Sequence, residues 1–305
     1  MDKKLKVILV GLGSFGKKYF KELHKNKKYD IIEIYRKKVK KKTYNGIPVF
    51  YFKNLIQKIP QNIDLAIIVT PVETHFKIAK IFIEKKIPII LEKPAGTNKE
   101  EVSQLNFLSI KNKTSVIVNH SETFNINLDQ LLKNKKKIGK IKKIICIFGK
   151  KSKKYKNKKF LPFVDWFSHP LSVVEKFTKL DFKVLNIKNN IKKIKGSYYQ
   201  HLSSNLINSK NVSLNILFSN IKKGISRKVL IYGTKGLISY DGVESNQNYL
   251  KIFDKKKIII KNKKIKTISK LLSFVEQKIK NKKYINNLKS AYMIQKIIDK
   301  LIKIV

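Results

Sequence analysis

In the stretch DWFSHP (165–170), Asp165 and His169 stand four residues apart. On a helix that spacing brings a carboxylate and an imidazole to one face, with Ser172 on the same side. Such a pair holds the parts of a proton-transfer site. The stretch PIILEKPAG (88–96) offers a cation, because a short apolar run there ends in Glu92, Lys93 and Pro94. Most lysines of this chain are surface charge. One at the end of a buried strand, its backbone fixed by a proline and a candidate cis bond, is placed to donate to a reacting oxygen as negative charge develops there. The third stretch, GLGSFG (11–16), is G-x-G-x-x-G. Gly11 permits a tight turn, Gly13 lets the backbone approach a pyrophosphate, and Gly16 lets a helix pack closely on a strand. Ser14 and Phe15 open a helix whose N-terminal N–H groups and dipole attract phosphate.

These residues need elements to hold them. Short apolar runs at 5–10, 31–35, 48–52, 64–69, 88–91 and 115–119 read as strands, and helical patterns at 14–26, 53–59, 72–85 and 98–112 lie between them. Near-continuous apolar strands alternating with amphipathic helices predict a parallel sheet covered on both faces, the doubly wound nucleotide-binding architecture. An acid at the second strand's tip ordinarily binds the adenine ribose hydroxyls. Here the tip reads Tyr35, Arg36, Lys37, Lys38, and Glu33 lies inside the strand. A basic tip favours a 2′-phosphate, so NADP is expected ahead of NAD. Thr70 and Pro71 end the fourth strand at the sheet edge where such folds bind ligands, near the expected nicotinamide. His75 either caps this loop or sits on the surface of the next helix.

After about residue 120 the rhythm changes. Helices are predicted at 126–134, 165–178, 268–280 and 287–303, a strand at 141–149, and mainly strands from 182 to 260. Turn signals fall at Asn189-Asn190, Gly196, Ser209 to Asn211, Gly233 to Gly236 and Asp241-Gly242. The expectation is a dinucleotide-binding domain over 1–120 and an α+β domain over 121–305 with a large, mostly antiparallel open sheet, the last helix packing back on the first domain. The basic run KKSKKYKNKK (150–159) reads as a solvated loop, with a lid over substrate phosphates as the alternative.

The net charge of +49 first suggests nucleic acid. Arginine, the preferred reader of phosphate and guanine, occurs only twice, and the lysines scatter along the whole chain. Abundant Lys, Ile, Asn and Tyr follow from A/T-rich codons, so neither nucleic acid nor membrane is an expected partner. The single cysteine, Cys146, cannot form an internal disulfide and fits a reducing, cytoplasmic setting. The apolar part of the first 13 residues is too short for a signal peptide, and no run is long enough for a membrane span. Metal ligation at Asp165 and His169 fits poorly, since no further cluster supplies ligands.

In chain order, GLGSFG, VTPVETH, EKP, NHSETFN (119–125), DWFSHPLS and GTKG (233–236) resemble the Gfo/Idh/MocA family of glucose–fructose oxidoreductase and inositol dehydrogenase. The resemblance implies a Rossmann domain plus an α/β domain whose open sheet often makes oligomer contacts, in a homodimer or homotetramer. It implies NAD(P)-dependent oxidation or reduction at a hydroxyl or keto carbon of a sugar, cyclitol or nucleotide-sugar. It also implies Lys93, Asp165 and His169 as catalytic residues. Cofactor contacts are expected from Gly11, Gly13, Ser14, Phe15, Gly16, Tyr35, Arg36, Lys37, Thr70, Pro71, His75, Glu92, Lys93 and Pro94. Substrate contacts are expected from Lys93, His120, Asn125, Trp166 and Ser172. Two departures bear on the substrate: Thr123 stands where the family commonly has arginine, and Pro170, Leu171 and Ser172 follow His169 where an acid is common. The alternative is a non-catalytic dinucleotide-binding protein on the same scaffold.

Overall fold

The computed structural model describes residues 3–39, 41–57, 59–152, 155, 161–221, 224–253, 257–264 and 266–305. The chain forms two compact units, one of residues 1–119 with 268–292 and one of 120–267 with 293–305.

The first unit alternates strands and helices: β1 (Leu5–Val10), α1 (Ser14–His24), β2 (Tyr29–Arg36), β3 (Thr43–Tyr44), β4 (Ile47–Tyr51), α2 (Phe52–Gln57), β5 (Leu65–Ile68), α3 (His75–Glu84), β6 (Ile89–Glu92), α4 (Lys99–Lys111) and β7 (Val116–Asn119). Its sheet runs β3-β4-β2-β1-β5-β6-β7. All neighbours are parallel except β3 and β4. Strands β5, β6 and β7 (LAII, IILE and VIVN) are buried at every position, as a parallel strand covered by helices on both faces must be. The sheet's topological switch point lies between β1 and β5, which sets the Gly11 turn and the Thr70 turn side by side at the C-terminal edge. Helix α3 seals one face with Ile78, Ala79, Phe82 and Ile83, joined in one apolar cluster with Val102 and Leu105 of α4. The C-terminal helix α7 (Thr267–Lys280) belongs to this unit almost entirely, and α8 (Leu288–Ile302) begins in it.

The second unit holds α5 (Ile126–Leu132), β8 (Ile141–Lys150), α6 (Pro162–Val174), β9 (Lys183–Ile194), β10 (Ser197–Ile207), β11 (Ser213–Ser219), β12 (Ile225–Gly233), β13 (Gly236–Asp241), β14 (Asn248–Ile252) and β15 (Lys257–Ile260). Its sheet has the order β15-β14-β13-β12-β8-β11-β10-β9. It is antiparallel apart from the β8–β11 pair. Alternation along β8 and β11 turns Ile144, Cys146, Phe148, Leu214, Ile216 and Phe218 to one face. Helix α6 covers that face with Phe163, Phe167, Leu171 and Val174. Each of these buried side chains contributes about 1.5–3 kcal/mol, so α6 is held firmly over the sheet. The fold class is therefore the one the sequence predicts.

Three details differ from expectation. Asn189 and Asn190 make no turn but lie within β9, where Asn189 accepts from Gln200 Nε2 at 2.8 Å, so a cross-strand amide pair replaces the turn. Helix α6 starts at Pro162 rather than 165, since proline suits the first turn. It also runs through Pro170, which forfeits one helical hydrogen bond. The strand expected at 48–52 is β4, but β3, which pairs with it in a small hairpin, falls outside the expected strands.

Candidate active site

In the first unit the glycine turn has the geometry a dinucleotide requires. Gly11 has φ +105°, and a Cβ there would meet the Val69 carbonyl oxygen at 2.3 Å. A Cβ on Gly16 would meet the Gly11 carbonyl oxygen at 2.2 Å, while one on Gly13 would meet nothing within 4 Å. The first and third glycines are thus fixed by contact with the protein's own backbone. The second leaves open space at the N-terminus of α1, and a side chain would fill the place a pyrophosphate approaches. Ser14 and Phe15 are exposed there, and the first N–H groups of a helix have no acceptor within it. The residues present fit a dinucleotide.

At the tip of β2, Arg36 is partly exposed and Lys37 exposed. Tyr35 is not available to a cofactor through its side chain. Strand alternation turns it inward, its ring lies 5.9 Å from that of Phe50, and its hydroxyl donates to Glu33. Burial and that carboxylate push its pKa up. Its carbonyl supports the turn instead, accepting from Gly11 N at 2.9 Å.

Two turns at the same edge are joined by a histidine. His75 is 1% exposed, so it is no surface residue. Its Nδ1 lies 2.7 Å from the Pro94 carbonyl and its Nε2 2.8 Å from the Thr70 carbonyl. Burial lowers its pKa and the two carbonyls oppose that shift. Pro71 is exposed and Thr70 partly so. Lys93 follows β6 directly, is partly exposed, and is joined to Pro94 by a cis peptide bond. Glu92 is buried. Its Oε1 accepts from Tyr19 of α1 at 2.8 Å and from Asn119 of β7 at 2.6 Å. The residue expected to touch the cofactor instead ties the lysine strand to the glycine helix, and burial raises its pKa.

In the second unit α6 presents Asp165 and, one turn on, His169. Asp165 accepts from Tyr155 at 2.9 Å, and the same hydroxyl accepts from Trp166 Nε1 at 3.0 Å. Tyr155 lies in the lysine run read as solvated, yet it is buried. Residues 153–154 and 156–160, on which the lid expectation falls, lie outside the described residues. His169 is 8% exposed, with Nδ1 3.6 Å from Glu122 Oε1 and 3.4 Å from Ser121 Oγ.

Four residues expected to meet substrate are buried. Ser172 is fully enclosed and donates to the His169 carbonyl at 2.8 Å, because one turn further along α6 the helix faces the packed interior. Asn125 caps α5 and donates to the Tyr240 hydroxyl at 2.9 Å. Trp166 lies under the Arg227 guanidinium, 5.7 Å from ring centre to carbon. His120 is buried, and its carbonyl accepts from Thr123 N at 2.8 Å.

Sequence reasoning missed Glu122 and Arg227. Glu122 is 2% exposed, Arg227 Nη1 donates to its Oε1 at 3.0 Å, and Tyr240 donates to its Oε2. The available signal was scarcity, since Arg227 is one of two arginines in a chain otherwise basic through lysine.

Residues 5–120 match the model of the Gfo/Idh/MocA family, described as an oxidoreductase family with an NAD-binding Rossmann fold. No curated protein matches the chain in sequence. Among solved structures, the fold is shared with a 3-ketoreductase from Actinomadura kijaniata in complex with TDP-benzene and NADP (TM-score 0.81, 11% identity, 97% of this chain and 96% of that one). It is shared with biliverdin reductase from Synechocystis sp. PCC 6803 in complex with biliverdin and NADP+ (TM-score 0.77, 14% identity, 98% of both chains). It is shared also with UDP-N-acetylglucosamine 3-dehydrogenase from Acidithiobacillus ferrooxidans (TM-score 0.75, 13% identity, 96% and 95%). The glycine turn, the switch-point loops and the cis Lys93–Pro94 bond at the C-terminal edge of the parallel sheet all lie within residues 5–120, the part of the chain that matches the Gfo/Idh/MocA oxidoreductase model, and they fit NAD or NADP.

Proposed function

We propose that the protein is an NADP-preferring dehydrogenase or reductase acting at a hydroxyl or keto carbon of a sugar, cyclitol or nucleotide-sugar. The observation that carries this reading is α6, where an acid and a histidine one turn apart are each held by a buried side chain, Asp165 by Tyr155 and His169 by Glu122. Two of the structural relatives, a 3-ketoreductase and a UDP-sugar dehydrogenase, support the substrate class. Arg36 at the tip of β2 supports NADP, because a guanidinium matches the 2′-phosphate.

A nicotinamide dinucleotide held at the glycine turn of Gly11, Gly13 and Gly16 would supply or accept the hydride. In the oxidation direction, His169 takes the hydroxyl proton and Asp165 orients the substrate. Lys93 donates to the reacting oxygen, stabilising negative charge as it grows. In reduction the same groups return the proton.

The test is a parallel titration with NADPH and NADH, read from the fluorescence of the reduced nicotinamide, followed by assay against a panel of nucleotide-sugars and cyclitols. NADPH binds more tightly than NADH, and Lys93→Ala loses about 100-fold or more in kcat with NADPH affinity changed only a few-fold. Binding of neither cofactor, or a Lys93→Ala variant with undiminished turnover, overturns the proposal.

A further inference from the structure

Glu122 has no step of its own in the mechanism above. It stands on the 3-10 turn Ser121–Phe124, enclosed in the second unit, and each of its oxygens faces a donor. Oε1 accepts from Arg227 on β12 at 3.0 Å. Oε2 accepts from Tyr240 on β13. The direction of that second bond is fixed by Asn125, whose amide donates into the Tyr240 oxygen at 2.9 Å and so turns the phenolic hydrogen toward Glu122. Burial pushes the Glu122 carboxyl up, while Arg227 and the Tyr240 hydroxyl pull it back. With both oxygens accepting, a proton on Glu122 would displace one of these donors, and the guanidinium remains charged throughout. The group is a carboxylate.

The same Oε1 lies 3.6 Å from Nδ1 of His169, and Ser121 Oγ lies 3.4 Å from that nitrogen. An unprotonated Nδ1 would set its lone pair against a buried negative oxygen. A protonated Nδ1 sets an N–H there. Histidine free in water has no such constraint, and the bond made by one ring nitrogen decides which of the two carries the proton. We infer that Glu122 is a positioning residue: it holds the proton of neutral His169 on Nδ1, leaves Nε2 to exchange a proton with the substrate, and stabilises the imidazolium that results, with Arg227 balancing its charge. This rests on the proposed role of His169 as the proton-transfer group. Among the described residues, the charged and titratable groups tied to His169 or to Glu122 include Asp165 on its own helix, Glu122 on the 3-10 turn, Arg227 on β12, and Tyr240 with Asp241 on β13. Asp241 acts on Glu122 and Arg227 sits across it. The Glu122 Oε1 oxygen lies within 4 Å of the ring.

The test is histidine NMR on the full chain with 15N-labelled imidazoles. The chain has five histidines, and the His169 signal is assigned by its loss in His169→Gln. In the wild type, neutral His169 shows the Nδ1–H tautomer. Glu122→Gln, which keeps the shape of the side chain, lowers the His169 pKa by about one unit or more, the effect of removing an opposite charge at this range. Arg227→Gln moves it the other way, because Glu122 then has the imidazolium as its counter-charge. In the enzyme assay the acid limb of kcat/KM follows the same two shifts. A wild-type His169 in the Nε2–H tautomer overturns the inference without any variant, and so does a His169 titration indifferent to both substitutions. None of the NMR readouts needs turnover. Shifted titrations in a protein without oxidoreductase activity would therefore overturn the proposed function and leave the Glu122–His169 coupling standing.

Discussion

At the scale of single residues, what could be read ahead of the structure was what local spacing encodes. Three glycines within six positions, a lysine and proline ending an apolar run, and an acid four residues before a histidine are all short-range patterns, and the structure places each on the element expected to hold it. Partners distant in sequence could not be read. Glu122 and Arg227 are 105 residues apart, and only the fold brings them together. Tyr155 was hidden for a different reason, since one aromatic in a lysine run has no periodicity to betray burial. Yet its hydroxyl donates to Asp165 at 2.9 Å and accepts from Trp166 Nε1 at 3.0 Å. Burial and the neighbouring carboxylate push its pKa up, so it remains a donor at any working pH. Tyr155→Phe keeps the ring and removes both bonds. The expected result is a loss of about 1–3 kcal/mol in urea unfolding, with a shift in the emission of Trp166, the only tryptophan. Unchanged stability and unchanged emission would show that Tyr155 does not anchor Asp165.

At the scale of elements, strand and helix identities were legible because apolar periodicity is strong in both units, while ends were set by contacts beyond the local pattern. Pro170 inside α6 would ordinarily stop a helix, but twelve of the helix's thirteen residues are buried, and that packing outweighs the one lost bond. The hairpin β3–β4 did carry a signal, since Asn45 and Gly46, both at positive φ, form the tight turn typical of a two-residue loop. His75 shows an element end serving the site. Its two nitrogens lie against the Thr70 and Pro94 carbonyls, and the neutral ring, donating to one of them, spans the turn after β5 and the turn after β6, next to Lys93. Its folded pKa is lowered from 6.5 by burial, with Glu73 and Glu101 among the opposing influences. A depressed folded pKa means the unfolded chain binds the extra proton first. Stability from this residue is therefore full above pH 6.5 and declines as pH falls below it toward the folded pKa. Thermal melts between neutral pH and pH 5 should show His75→Gln losing less stability on acidification than the wild type. Parallel pH profiles for the two proteins would remove His75 from the acid response.

At the scale of the whole molecule, charge and an uncovered sheet face act against each other. Alternation along the large sheet leaves Ile145 and Ile147 of β8, Leu217 of β11, Leu230 of β12 and Leu237 of β13 partly exposed, on the face opposite α6. The pairing puts Ile147 beside Leu217, and Leu230 beside Ile145, so these side chains form one contiguous apolar patch of the kind that marks an interface. A second copy of this chain is the expected occupant, the open-sheet contact that the family resemblance implies. Each copy carries +49, however, and two such copies repel over a range that shrinks from about 30 Å at 0.01 M salt to about 8 Å at 0.15 M. Apolar contact is not weakened by this screening. The mass measured by light scattering should therefore rise from monomer toward dimer or tetramer as salt increases at fixed protein concentration, the reverse of what a surface held by ion pairs would do. Glutamate at Leu217 and Leu230 should hold the protein monomeric at every salt concentration, with its melting temperature measured alongside to show that the unit remains folded. A wild-type chain that stays monomeric at high salt and high concentration would show that this face does not join copies, and that water meets it in the working protein.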